Sequence, residues 1–187
     1  MRGSDSLSDY CDKCGNSVKV HIGDGKGGEA ANLCLDCYNR LMAEMTGTDF
    51  RDVLPKRLSS KGKDRKTHDF DIELMIFANG KLLTATEIGK TRRKADVHGE
   101  LDDDLDKMLE TLKRRIKKAL SVRYIEPSGY FAENKAVGYI EYSIERDRHE
   151  IIIDGKPYTW EDLEKNISAY EGWKIKIEFG DVGDELD

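Results

Sequence analysis

No run of apolar residues in the 187-residue sequence approaches the roughly 18–20 that a membrane-spanning helix requires, so no membrane association is expected. The opening MRGSDSLSDY lacks the apolar core of a secretory signal, which makes a cytoplasmic protein the expectation. An excess of positive charge is also missing: 31 Lys and Arg stand against 37 Asp and Glu, a net of -6. That balance excludes a surface that attracts nucleic acid everywhere, while leaving room for a local basic patch. With 38% hydrophobic and 36% charged residues, the chain is soluble and folded rather than disordered. Familiar catalytic constellations are absent too. His149-Glu150 lacks the second histidine of H-E-x-x-H, no G-K-S/T follows the glycine-rich stretch, and His68 and His98 stand alone in polar segments. No catalytic residue is assigned and a non-enzymatic protein is expected, although residues remote in sequence can meet in space.

Cysteine is scarce. All four fall in YCDKCGNSVKVHIGDGKGGEAANLCLDCYNRL, Tyr10 to Leu41, spaced as Cys11-x2-Cys14, nineteen intervening residues, then Cys34-x2-Cys37. This lies inside the window of a four-thiolate zinc site. Each C-x2-C turn aims two sulfurs at one point about 2.3 Å away, and two turns complete a tetrahedron around an ion with no directional preference of its own. One structural Zn²⁺ on Cys11, Cys14, Cys34 and Cys37 is expected, with no open position for catalysis. Disulfides would need an oxidising compartment, and a redox C-x2-C stands alone beside a βαβ pattern rather than in a matched pair. Four-thiolate iron shares the geometry, so metal analysis has to separate it from zinc.

The two cysteine turns differ. Gly15 after Cys14 permits the left-handed turn of a zinc knuckle, whereas Cys37 runs into YNRLMAEMTG, where Leu41, Met42 and Met45 recur at helical spacing until Gly47. Between them, VKVHI and EAANLC flank GDGKGG and read as two short strands with a flexible turn. Knuckle, hairpin and helix over about Tyr10 to Thr46 resemble the treble-clef zinc-finger group. The resemblance implies ligation by the four cysteines and no particular activity, since that group serves nucleic-acid binding, protein binding and scaffolding alike. A helix N-terminus favours the net charge of about -2 on Zn²⁺ with four thiolates, and Lys13 and Arg40 are placed to help. Gly23, Gly25 and Gly28 match G-x-G-x-x-G but lead to Cys34 rather than into a helix, so no dinucleotide site is assigned. His21 reads as a surface or packing residue of the hairpin.

Residues 51–66, RDVLPKRLSSKGKDRK, carry seven Lys/Arg against two Asp and read as a basic linker, a solvated tether that could alternatively contact phosphates. The remaining α+β domain, 67–180, reads as ββαββαβ, a mainly antiparallel sheet with two helices on one face. FDIELMIF alternates with Phe70, Ile72, Leu74 and Ile76 on one side, and Asn79-Gly80 turns it into KLLTATEIG. The segment LDDDLDKMLETLKRRIKKALS carries Leu101, Leu105, Met108, Leu112, Ile116 and Leu120 as one helical stripe. Asp102, Asp103, Asp104 and Asp106 at its start suit the helix macrodipole better than a metal. VGYIEYSI and EIIIDGKPY form a second hairpin region, Thr159-x-x-Asp162 opens another helix, and WKIKIEF alternates as a strand with Trp173, Ile175, Ile177 and Phe179 inward. Residues 181–187 form an acidic tail. The run Asp154 to Phe179 is similar to the ends of uncharacterised bacterial proteins with cysteine-rich amino termini, which implies a shared domain and no assigned job.

These readings point to a structural zinc module beside a domain that binds another protein, with Tyr124, Tyr130 and Phe131 as contact candidates. The alternative is nucleic-acid binding through the zinc module, residues 51–66 and the cluster Lys90-Thr91-Arg92-Arg93-Lys94.

Overall fold

The computed structural model describes residues 9–23, 30–48, 50 and 53–181. The glycine-rich turn at 24–29 and the acidic tail at 182–187 lie outside the described residues. Helices and antiparallel strand pairs are both present, so the chain belongs to the α+β class. It divides into two compact units: Met1–Leu54 with Leu74–Leu82 and Gly99–Asp103, and Pro55–Glu73 with Leu83–His98 and Asp104–Asp187.

In the first unit, strands β1 (Val20–Ile22) and β2 (Ala31–Leu33) pair antiparallel, and helix α1 (Leu35–Thr46) follows directly. Gly47, at φ 69°, ends the helix in the left-handed conformation that glycine adopts without a Cβ penalty. Its buried cluster is small, Cys11, Leu33 and Cys34 with Ile22, Ala31, Cys37, Tyr38 and Leu41 against them. Three of those eight are cysteines, so little purely hydrocarbon packing holds this unit.

A four-stranded sheet runs in chain order β3 (Arg57–Lys61), β4 (Thr67–Phe77), β5 (Gly80–Glu87) and β6 (Lys94–Gly99). The alternation of β4 is realised as expected, with Phe70, Ile72, Leu74 and Ile76 buried and Asp69, Asp71 and Glu73 exposed. Helix α2 (Leu105–Ser121) buries Met108, Leu109, Leu112, Ile116 and Leu120. Of the acids at its start, Asp104 is the N-cap, accepting from the backbone N–H of Asp106 at 2.8 Å, and Asp103 accepts from that of Glu100 at 2.8 Å in the turn before the helix.

The second sheet contains β7 (Gly138–Ser143), β8 (Arg148–Ile153) and β9 (Lys156–Tyr158), each pair antiparallel. Asp154 and Gly155 join β8 to β9 with φ of 53° and 76°, the two positive values a tight hairpin turn requires. Helix α3 (Trp160–Ile167) opens with the expected capping box of Thr159 and Asp162. Ile125, Ile153 and Leu163 form a satellite core under the loop that follows α2.

Two expectations are corrected. Arg57–Lys61, read as part of a tether, is strand β3. Leu58 and Ser60 face inward on it, while Arg57 lies 3.1 Å from Asp71 and Ser59 2.5 Å from Asp69. The pairing sets Arg57 and Ser59 against the acidic outer face of β4, and Gly62 and Asp64 form the hairpin turn. The other correction is WKIKIEF, which joins no sheet. Trp173, Ile175, Ile177 and Phe179 are 65–77% exposed. Alternation describes a face, but a strand also needs a neighbour to satisfy its backbone, and among the described residues none pairs with this segment.

Candidate metal centre

The knuckle forms because Gly15 takes φ 75°, letting its N–H reach the carbonyl of Cys11 at 2.9 Å while the Cys11 N–H donates to Asn16. Cys34 is the N-cap of α1, and Tyr38 donates to its carbonyl at 3.0 Å. Asp12 ties the knuckle to the hairpin: its carboxylate accepts from the Asn32 N–H at 2.7 Å, and its own N–H donates to the Asn32 carbonyl at 2.9 Å. His21 is exposed and pairs with the Asn32 side chain, as a hairpin surface residue does.

These constraints gather Cys11, Cys14, Cys34 and Cys37 so that all four sulfurs lie within 4.8 Å of one another, with Cys14 and Cys34 3.5 Å apart. A tetrahedron with metal–sulfur bonds of about 2.3 Å has sulfurs about 3.8 Å apart, so the cluster fits one four-coordinate ion. Its electrostatics ask for that ion. The Cys34 backbone lowers the Cys11 thiol to about 6, burial, with the neighbouring thiols, pushes Cys37 up to about 12, and Cys14 is raised in spite of the Asn16 backbone, by the Cys34 thiol. Four thiols this close cannot all ionise without a cation among them. The cluster fits one structural zinc, with every position of the tetrahedron taken by sulfur. Arg40, expected to assist, is instead held by Asp36 at 3.1 Å.

Sequence reasoning missed Asn39. Buried on α1, its amide donates to the Leu74 carbonyl at 2.7 Å and accepts from the Ile76 N–H at 2.9 Å, which fastens the ligand-bearing helix to the far end of β4. A polar residue two positions after Cys37, beside Leu41, was the available signal.

In the second unit the basic cluster 90–94 is largely occupied. The Arg92 guanidinium lies 3.1 Å from Glu141 and 3.4 Å from Glu150, and Arg146 lies 2.7 Å from Glu150. Glu141 and Glu150 are direct cross-strand partners, a like-charge pairing that would destabilise the β7–β8 ladder without a cation between them. Arg93 lies 3.0 Å from Glu87, which also holds His68 at 2.6 Å. A shallow cleft of about 240 Å³ is lined in part by Lys94, Arg115, Lys118, Asp96 and Asp154. Its acids have structural partners, Thr84 on Asp96 and the N–H groups of Tyr124 and Ile125 on Asp154.

The His68 cluster gives stability a sign with pH. The hydrogen bond to Glu87 leads the causes that raise His68 above its usual 6.5, with Asp64 helping. Glu87 is held below its usual 4.5: burial pushes it up, and the bonds from Thr91, His68 and Arg93 outweigh that. A raised histidine stabilises fully below its unfolded value and loses this as pH climbs through its folded value. A lowered carboxylate stabilises above its unfolded value and loses this as pH falls through its folded one. Both act together between about 4.5 and 6.5. Urea midpoints are expected to fall as pH rises from 6 to 8, and His68→Gln should flatten that decline; an unchanged slope would remove the histidine from the explanation.

The candidate contact residues separate. Phe131 packs on the satellite core and 6.0 Å from the Tyr170 ring, Tyr124 is half-buried there, and Tyr130 is exposed. Among the described residues no helix is long and apolar enough to cross a membrane.

Three family models match the chain, each described as a domain of unknown function: DUF7685 over residues 10–49, DUF7686 over 52–121 and DUF7713 over 124–184. The first span contains all four cysteines and the third contains the exposed segment 173–179. No curated protein and no solved structure matches the chain.

Proposed function

We propose that this is a non-enzymatic zinc protein in which a treble-clef-like module is held by a structural ion and the α+β part binds another protein. The observation that carries the reading is the segment Trp173–Phe179. It exposes Trp173, Ile175, Ile177 and Phe179 by 65–77%, and monomeric soluble proteins rarely leave so continuous an apolar stripe in water. The order of knuckle, hairpin and Cys34-capped helix supports the treble-clef likeness. Four unpaired thiols suit a reducing compartment, in keeping with a cytoplasmic location. The nucleic-acid alternative has less to work with, since Arg57, Arg92 and Arg93 already have acidic partners.

Affinity capture from cells with the full chain and with an Ile175→Asp/Ile177→Asp variant tests this. Protein partners should be retained through nuclease treatment and high salt by the parent and lost by the variant. A complex that instead dissolves steeply with salt, with a slope counting several phosphates, would favour nucleic acid and overturn the reading.

A further inference from the structure

We infer that the occupant of this apolar stripe is a second copy of the chain, with residues 173–179 of one copy pairing along edge strand β7 of the other. This rests on the protein-binding reading above and names its partner.

The second sheet has the order β7-β8-β9, so among the described residues β7 has a neighbour on one side only. An open edge offers unpaired N–H and C=O groups to an incoming strand. One face of that edge is apolar and wet: Ile140 is 53% exposed, Tyr142 47% and Ile144, just past the strand, 88%. The other face carries Glu141. The segment 173–179 presents the matching pattern, with Trp173, Ile175, Ile177 and Phe179 in alternation and Lys174 and Lys176 between them. Lys176 and Glu178 meet at 2.6 Å, as residues i and i+2 do on one side of an extended chain. Laid beside β7, the tail would set its apolar row against Ile140, Tyr142 and Ile144 and bring lysines to the face that holds Glu141.

The root of the tail is fixed. Tyr170 donates to the Phe131 carbonyl at 3.3 Å and its ring lies 5.4 Å from that of Trp173, while residues 174–179 pair with no strand among the described residues. Each copy thus carries one donor strand and one open acceptor edge, and a reciprocal exchange closes with two-fold symmetry. Seven apolar side chains per copy, 47–88% exposed and offering roughly 100 Å² apiece, bring the total for two copies near the size of a standard stable interface.

Sedimentation velocity of the full chain at micromolar concentration should show a dimer. Ile175→Asp/Ile177→Asp on the donor and Ile140→Asp on the acceptor should each weaken association by at least about tenfold. Lys174→Glu/Lys176→Glu, on exposed positions that leave the core untouched, should weaken it as well, and circular dichroism with metal content checks that every variant is folded. An equimolar mixture of the donor and acceptor variants should recover part of the association, because one of the two tail–edge pairings of the reciprocal dimer is then intact. A dimer insensitive to both variants, or no recovery on mixing, overturns the pairing. A monomer whose 173–179 amides resist hydrogen exchange would mean that the tail folds onto its own chain. A monomer that captures a different protein through the tail would refute the second copy while leaving the protein-binding reading in place.

Discussion

Replacing Cys34 with serine, or withdrawing metal with a strong chelator, is expected to unfold the zinc module outright. Zinc sites of this kind supply on the order of 10–16 kcal/mol of folding free energy. The module's own buried cluster offers few apolar side chains beyond the cysteines themselves, so no hydrocarbon core replaces that contribution. Cys34 and Cys37 both stand at the start of α1, where Cys34 makes no side-chain cap bond of its own, so that end of the helix depends on the ion and is the first element to go. The loss should extend further than the cysteines, because Asn39 on that helix satisfies the Leu74 carbonyl and the Ile76 N–H. Hydrogen exchange should therefore show collapsed protection across α1 and at the Ile76 amide, with protection retained in α2 and in the β7–β8 ladder. Loss of protection everywhere would mean that the two compact units fold as one.

The second large effect is expected from removing Arg92 and Arg146 together. Glu150 has no exposed side-chain surface, and both guanidinium groups reach its carboxylate. Its cross-strand partner is Glu141, which shares Arg92. An Arg92→Met/Arg146→Met double variant strands a buried charge opposite a like charge, a situation that costs about 3–5 kcal/mol. Adding Glu150→Leu should return most of that stability, since an apolar replacement of the whole set removes the uncompensated charge. Urea unfolding of the double and triple variants measures both, and a double variant within about 0.5 kcal/mol of the parent, the range of ordinary surface substitutions, would show that the cluster is incidental.

The parts legible in the sequence were those written in local geometry. Cysteine spacing, Gly15, Gly47, the Asp154-Gly155 turn, the Thr159–Asp162 box and the stripe of α2 from Met108 to Leu120 each encode their own backbone or face, and the structure realises each of them, while Leu101, read as the start of that stripe, lies before the helix. What was not legible depends on partners distant in sequence. Strand β3 looked like a tether because its stabilising groups, Asp69 and Asp71, lie on the next strand. Basic residues 92 and 93 looked available to phosphate because the acids that hold them are Glu87, Glu141 and Glu150. Asn39 was hidden for the same reason. The segment 173–179 shows the converse error: period-two alternation was read as burial, although it specifies only that one side is apolar.

Metal content of this chain, purified without added metal and with thiols kept reduced, bears most directly on the four-thiolate centre. One zinc per chain, absent from Cys34→Ser and released on titrating the thiols, is the expected result. A folded chain with no stoichiometric metal, or one carrying iron in its place, would contradict it.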